Sequence, residues 1–166
     1  LINNAGIMSN GLITNVSVEQ WDRVMAINVR GIFLMCKWVI PVMVKQGKGK
    51  IVNISSMAAI GGTPAIPDYT AAKGAVAALT RQLAGDFGPK GINVNSIAPG
   101  TIKTPMLEQI YANDPTAKAR IESKTPYVRL GNPEDVANVS LFLSSDDSDF
   151  ISGVCIPVDG GRTALA

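Results

Sequence analysis

The sequence predicts an α/β domain built on a doubly wound parallel sheet. Short apolar runs rich in β-branched residues alternate with longer stretches at helical spacing, in the order β-α-β-α-β-α-β. The strand-like runs exit into turns of small or polar residues, at Asn3-Asn4-Ala5-Gly6, Ser55-Ser56, Pro99-Gly100 and Asp159-Gly160-Gly161. The 166 residues are 46% apolar and 17% charged, enough for one domain with a sizeable core and too apolar for disorder. We read residues 1–166 as a single domain, with no internal repeat and no low-complexity tract.

The elements follow in order. Leu1-Ile2 is the end of a strand. Ser17 begins a helix, with Gln20 three residues on as its capping-box partner. Apolar residues follow at helical spacing from Trp21 to Val39, Pro41 is a candidate kink, and Gly47 ends the run. Lys50 to Ser55 is a short strand. A loop carrying glycine and proline covers 59–67, and an alanine-rich helix spans about 68–87 until Gly88-Pro89 stops it. Ile92 to Ile97 is the next strand. Residues 105–125 are polar and weakly helical, which predicts a mobile segment. Asn132 caps a helix with Pro133 at its first position and Glu134-Asp135 in its first turn. Val154 to Val158 is the last strand.

Composition excludes several kinds of chemistry. There is no histidine, which removes Ser–His–Asp triads, histidine acid–base catalysis and most zinc sites, and no metal ligand set is predicted. The two cysteines, Cys36 and Cys155, lie in apolar stretches and read as buried, reduced thiols. A net charge of +2 without a basic run predicts neither nucleic acid nor membrane as a partner. The apolar stretch 24–44 is broken by Arg30 and Lys37 and does not read as a spanning helix. No signal peptide is visible, but the chain opens at Leu1 in what reads as a strand end, so we expect the true N-terminus to lie upstream.

Tyr69 and Lys73 stand four apart at the start of the alanine-rich helix, which stacks them on one face. A free phenol, with a pKa of about 10, is too weak a base at neutral pH. A neighbouring ammonium favours the phenolate, so the pair can move a proton to or from an alcohol or carbonyl oxygen. Taken alone, the pair also fits a surface lysine lying over a tyrosine ring. Ser56 lies just past a strand end, the edge at which parallel sheets bind ligands, although serines there also satisfy backbone groups. Asn28 is a polar residue on an apolar stripe, so it either orders water near Lys73, bends the helix, or is a satisfied core amide. Asn4, Ala5 and Gly6 let a ligand approach the backbone closely. The stretch from Pro99 to Thr104 offers backbone groups and a hydroxyl to an amide-bearing ring.

Together these stretches resemble the short-chain dehydrogenase/reductase family. The resemblance runs through Asn3-Asn4-Ala5-Gly6, Asn28, Ile51-Val52-Asn53-Ile54-Ser55-Ser56, Tyr69-Thr70-Ala71-Ala72-Lys73, Asn95-Ser96-Ile97-Ala98-Pro99-Gly100, the 131–137 stretch and Val158-Asp159-Gly160-Gly161. They come in the family's order and spacing and cover nearly the whole chain. Ser56 rather than Ser55 sits thirteen residues before Tyr69, the separation most common in the family.

The resemblance implies a Rossmann-like fold and an NAD(P)-dependent oxidoreductase that interconverts an alcohol and a ketone or aldehyde. Tyr69 would be proton donor and acceptor. Lys73 would lower its pKa and hold the nicotinamide ribose. Ser56 would bind the substrate oxygen, and Asn28 would anchor a proton-relay water. Asn4, Ala5 and Gly6 would flank the adenosine half of the cofactor. Ile54 would also belong to the cofactor site, and Pro99, Gly100, Ile102 and Thr104 would fix the nicotinamide. The implied partners are a small alcohol or carbonyl substrate and further copies of the chain, as a cytoplasmic dimer or tetramer built on the helices at 17–46 and 68–87. The 105–125 segment would be the substrate lid.

The sequence departs from the family in one respect. Its first strands, its glycine-rich loop and the residue that selects NAD or NADP are not in this chain. That predicts an unpaired strand edge from Lys50 onward, poor stability and little turnover for the 166 residues alone. It also leaves a second reading, a non-catalytic partner docking on intact subunits through the two interface helices.

Overall fold

The computed structural model describes residues 1–114 and 116–165. Its centre is a four-stranded parallel sheet of β1 (Ile2–Asn3), β2 (Gly49–Ile54), β3 (Ile92–Pro99) and β4 (Cys155–Val158). The strands lie in the order β1-β2-β3-β4. Helix α1 (Val18–Met25) and helix α2 (Gly31–Gln46) connect β1 to β2. The short α3 (Ala58–Gly61) and the long α4 (Pro67–Phe87) connect β2 to β3. Helices α5 (Pro105–Asn113), α6 (Ala117–Glu122) and α7 (Pro133–Ser144) lead to β4. The α/β alternation and the parallel sheet are as expected.

Adjacent β2 residues feed opposite faces of the sheet, as the period of two requires. Ile51 joins Ile32, Cys36 and Ile40 of α2, Val76 of α4, and Ile92 and Val94 of β3 in one buried cluster. Val52 and Ile97 point the other way and pack against Leu143 of α7. Helices therefore cover both faces, and each fully buried Val or Ile contributes roughly 1.5–3 kcal/mol of transfer free energy. By length and composition Val18–Gln46 would suffice to cross a membrane. In the fold, one face of this run, with Val24, Ile32, Cys36 and Ile40, is buried in the protein, while Phe33, Leu34, Met35, Trp38 and Val42 are exposed.

Local chemistry sets the element ends. Ser17 accepts from the Gln20 backbone N–H at 3.2 Å, and the Gln20 side chain accepts from the Ser17 N–H at 3.0 Å. Gly47 ends α2 with a left-handed φ of 70°, which a side chain would strain. Cys36 is buried and Cys155 half-buried, and both are free thiols.

Three expectations are corrected and one is given its form. The 17–46 stretch is not one regular helix, because Ala26–Arg30 forms a π turn between α1 and α2. The 59–67 loop contains α3. The helical character read for the 105–125 segment takes the form of two helices, α5 and α6. The residues from Lys50 onward are not an open edge, since β1 pairs with β2 at Ile2↔Val52 and Asn3↔Asn53. The open edges of the sheet are the outer sides of β1 and β4.

Candidate active site

All four strands run the same way, so their C-terminal ends share one edge of the sheet. The strand ends at this edge and the loops that leave it carry every candidate residue except Asn28, Tyr69 and Lys73, which come from the π turn and from α4. Open parallel sheets bind ligands at this edge, because the loops there are free of the ladder and helix N-termini point toward it.

Lys73 is the hub. It is only 3% exposed, and its Nζ donates to the Ile54 carbonyl at 2.7 Å. Burial lowers its pKa from 10.5 to about 8. An ammonium has three donors and this bond uses one. Its Nζ also sits 5.6 Å from the centre of the Tyr69 ring, so the two side chains share one helix face as their spacing requires. Tyr69 is half-buried. Burial pushes its pKa up, and hydrogen bonding with Ser56 pulls partly the other way. The net direction is opposite to the lowering expected from Lys73, because desolvation of the phenolate outweighs the other influences on this ring.

The two adjacent serines do different work. Ser55 is buried and its hydroxyl donates to the Lys73 carbonyl at 2.9 Å, which ties the end of β2 to α4. Ser56 accepts from the Ala58 N–H at 3.2 Å, and its hydroxyl also interacts with Tyr69.

Asn28 is fully buried. Its Oδ1 accepts from the Ile7 N–H at 2.9 Å and its Nδ2 donates to the Ile7 carbonyl at 2.8 Å. The amide therefore holds the loop that follows β1, and of the sequence alternatives the satisfied buried amide describes its side chain. The helix also departs from α geometry there. The Gly31 N–H bonds back five residues to the Ala26 carbonyl, the spacing of a π turn, a feature frequent at functional sites.

Gly6 lies between these groups. A Cβ placed on it would stand 2.8 Å from Asn28 Oδ1 and 3.3 Å from Lys73 Nζ. Only a bare backbone fits here, packed against the Asn28 and Lys73 side chains. Asn4 and Ala5, just before Gly6, are exposed. On the far side, the Pro99 carbonyl accepts from the Met57 N–H at 3.0 Å, and the Gly100 N–H donates to the Val158 carbonyl at 2.9 Å. Ile102 forms an isolated bridge to Gly131, and the Thr104 hydroxyl donates to the Ile102 carbonyl at 3.4 Å.

The structure thus brings Gly6, Asn28, Ile54, Ser56, Tyr69 and Lys73 together, with Pro99 and Gly100 at the neighbouring strand end. Asp68 escaped the sequence reading. It is fully buried at the start of α4, accepts from the Tyr69 N–H at 2.7 Å and also receives the Ser9 hydroxyl. Its sequence signal, an acid in the first turn of a helix, reads only as a favourable dipole contact.

Comparison with known proteins decides the family. A family model described as enoyl-(acyl carrier protein) reductase matches residues 1–163. The 2-(S)-hydroxypropyl-CoM dehydrogenase 3 of Xanthobacter autotrophicus is 44% identical over 99% of this chain and 66% of its own length. The chain belongs to the short-chain dehydrogenase/reductase family. The 3-oxoacyl-[acyl-carrier-protein] reductase FabG of Thermotoga maritima is 41% identical over 97% of this chain and 64% of its own length. Among solved structures, a gluconate 5-dehydrogenase from Burkholderia cenocepacia, in complex with NADP and tartrate, superposes with a TM-score of 0.95 at 33% identity. That match covers all of this chain and 65% of the other. The chain spans about two thirds of the length of these relatives. Its fold is accordingly the Rossmann-like fold of short-chain dehydrogenases/reductases.

Proposed function

We propose that this protein is an NAD(P)-dependent oxidoreductase that interconverts an alcohol and a ketone or aldehyde. The observation that carries the reading is the buried Lys73 ammonium, fixed by Ile54 beside the Tyr69 ring, with Ser56 at the adjacent strand end. A nicotinamide cofactor, when bound, supplies or accepts the hydride. The residues present fit such a group. Gly6 lets the loop after β1 pack closely against Asn28 and Lys73, and Lys73 has two N–H donors to offer a diol such as a ribose. Asn4, Ala5 and Gly6 form one wall of this site, and Pro99, Gly100, Ile102 and Thr104 form the other.

Ser56 donates its hydroxyl proton to the substrate oxygen as a hydrogen bond and holds the carbonyl in place. Tyr69 delivers its phenolic proton to that oxygen in reduction and takes a proton from the alcohol in oxidation. Burial favours the protonated phenol, which suits Tyr69 as the acid in the reduction direction. Lys73 orients the ring and carries positive charge toward the oxyanion side of the reaction. Asn28 acts through Ile7, keeping the loop of Asn4, Ala5 and Gly6 in position; we assign it as a positioning residue that also anchors a relay water.

The same reading makes the protein a cytoplasmic homodimer or homotetramer. Phe33, Leu34, Met35, Trp38 and Val42 of α2 are exposed, an apolar face that suits a subunit contact.

The test is Tyr69→Phe in the full-length protein, assayed by NADH or NADPH oxidation against a panel of ketones, with cofactor binding followed by nicotinamide fluorescence. Turnover is expected to fall roughly 10²–10⁴-fold, the usual share of a general acid, while cofactor binding persists. Unchanged turnover would remove Tyr69 from the chemistry and the reading with it.

A further inference from the structure

A cavity of about 450 Å³ is lined in part by Met57, the residue that follows Ser56 in the chain. That volume lies within the roughly 300–1,000 Å³ typical of small-molecule sites. Two cations line it. Arg162 comes from the turn after β4, and Lys124 from the turn after α6. No Asp or Glu lines it among the described residues.

Arg162 is the informative group. It is half-buried, and burial lowers its pKa from 12.5 while the charge of Asp159 works the other way. Even so, a guanidinium stays charged in a protein. Among the described residues no carboxylate oxygen lies within 4.0 Å of it. The neighbouring acid, Asp159, is committed elsewhere. Its Oδ1 accepts from the Gly161 N–H at 3.0 Å, and its Oδ2 accepts from the Thr163 N–H at 2.8 Å and the Thr163 hydroxyl at 2.6 Å. The polar partner recorded for the guanidinium is the Thr101 hydroxyl, which accepts from Nη1 at 3.1 Å. Thr101 directly follows Pro99-Gly100, so this bond holds Arg162 against the loop that flanks the reacting edge. A half-exposed guanidinium with no paired carboxylate among the described residues has donors left to offer an incoming anion. Its fork of donors matches a carboxylate or a similar oxyanion.

We infer that the substrate of this oxidoreductase site carries a compact anionic group, a carboxylate or comparable oxyanion, bound by Arg162 with support from Lys124. Resting on the function proposed above, the inference narrows the substrate to small hydroxy acids and oxo acids, or their oxyanion analogues.

The test uses the full-length protein and two matched probes, acetoacetate and its neutral methyl ester. The ratio of kcat/KM for acid over ester is expected to exceed ten in the wild type. In Arg162→Met that ratio should fall at least tenfold, mostly through KM of the acid, and Arg162→Lys should restore part of it. Lys124→Met should lower the ratio by a smaller factor. Calorimetric binding of acetoacetate without dinucleotide gives a readout independent of turnover, and should weaken at least tenfold in Arg162→Met. An ester reduced as well as the acid, with the ratio unmoved by Arg162→Met, overturns the inference and leaves the oxidoreductase reading intact. Loss of NAD(P)H affinity in Arg162→Met with an unchanged ratio also overturns it, because the cation then serves a cofactor phosphate. If neither probe is reduced but acetoacetate still binds through Arg162, the anion site stands and the proposed reaction falls.

Discussion

Lys73 carries a stability cost that can be read from its titration. Its folded pKa, about 8, lies below the ordinary 10.5. Below pH 8 both folded and unfolded chains carry the charge, and the folded state bears the full desolvation cost. Between pH 8 and 10.5 the unfolded chain binds more protons, so stability rises with pH, by up to about 3 kcal/mol in all. Denaturant unfolding of the wild type across that window should show this rise, and Lys73→Met should flatten it while removing turnover. Stability independent of pH from 8 to 10.5 in the wild type would contradict the burial of this ammonium. Gly6→Ala makes a second prediction. Its Cβ would press on Asn28 Oδ1 and Lys73 Nζ, so turnover and cofactor binding should both drop at least tenfold, and wild-type kinetics would show this packing to be loose. The Tyr69 and Lys73 pairing was legible because a spacing of four fixes side-chain proximity on any helix. Asp68 under Tyr69 was not legible, since its contact to Ser9 spans 59 positions of sequence. Arg162 was hidden for the same reason, lying 61 positions from its Thr101 partner.

Helix periodicity placed α1 and α2 as a single run, and the apolar stripe from Trp21 to Val39 does persist through both. What spacing could not reveal is the five-residue π turn at Ala26–Arg30, which is compatible with the same residue pattern. Asn28 was visible as a polar residue on an apolar stripe, but its partner Ile7 lies 21 positions away. Asn28→Ala would leave both polar groups of Ile7 without their partner, at about 1–3 kcal/mol for each group left buried and unsatisfied. Urea unfolding should therefore show a loss of about 2 kcal/mol or more, and a change under 0.5 kcal/mol, the usual limit for surface sites, would show that the loop does not depend on it. The 105–125 segment looked weakly helical because its residues are polar. Tertiary packing supplies what propensity lacks, with Leu107 and Ala117 buried from α5 and α6.

At the scale of the whole molecule, the order of elements sufficed to predict a parallel sheet with helices on both faces, because parallel strands need crossover connections. The open edge was misplaced because Leu1-Ile2, although read as a strand end, was not assigned as the partner of β2. The outer side of β1, together with the exposed Phe33, Leu34, Met35 and Trp38 of α2, leaves apolar surface that association would cover. Trp38→Glu is predicted to shift the protein toward smaller species in sedimentation or light scattering, and an unchanged mass would place the subunit contact elsewhere. The central claim is that this edge of the sheet directs hydride transfer at a carbinol carbon with Tyr69 as the acid. Its most direct test incubates the full-length protein with C4-deuterated NADH or NADPH and a panel of small ketones and oxo acids, and reads the alcohol product by mass spectrometry. Deuterium on the carbinol carbon with the wild type, reduced at least a hundredfold in Tyr69→Phe, is the predicted result. An undeuterated product, or equal transfer by the variant, would contradict it.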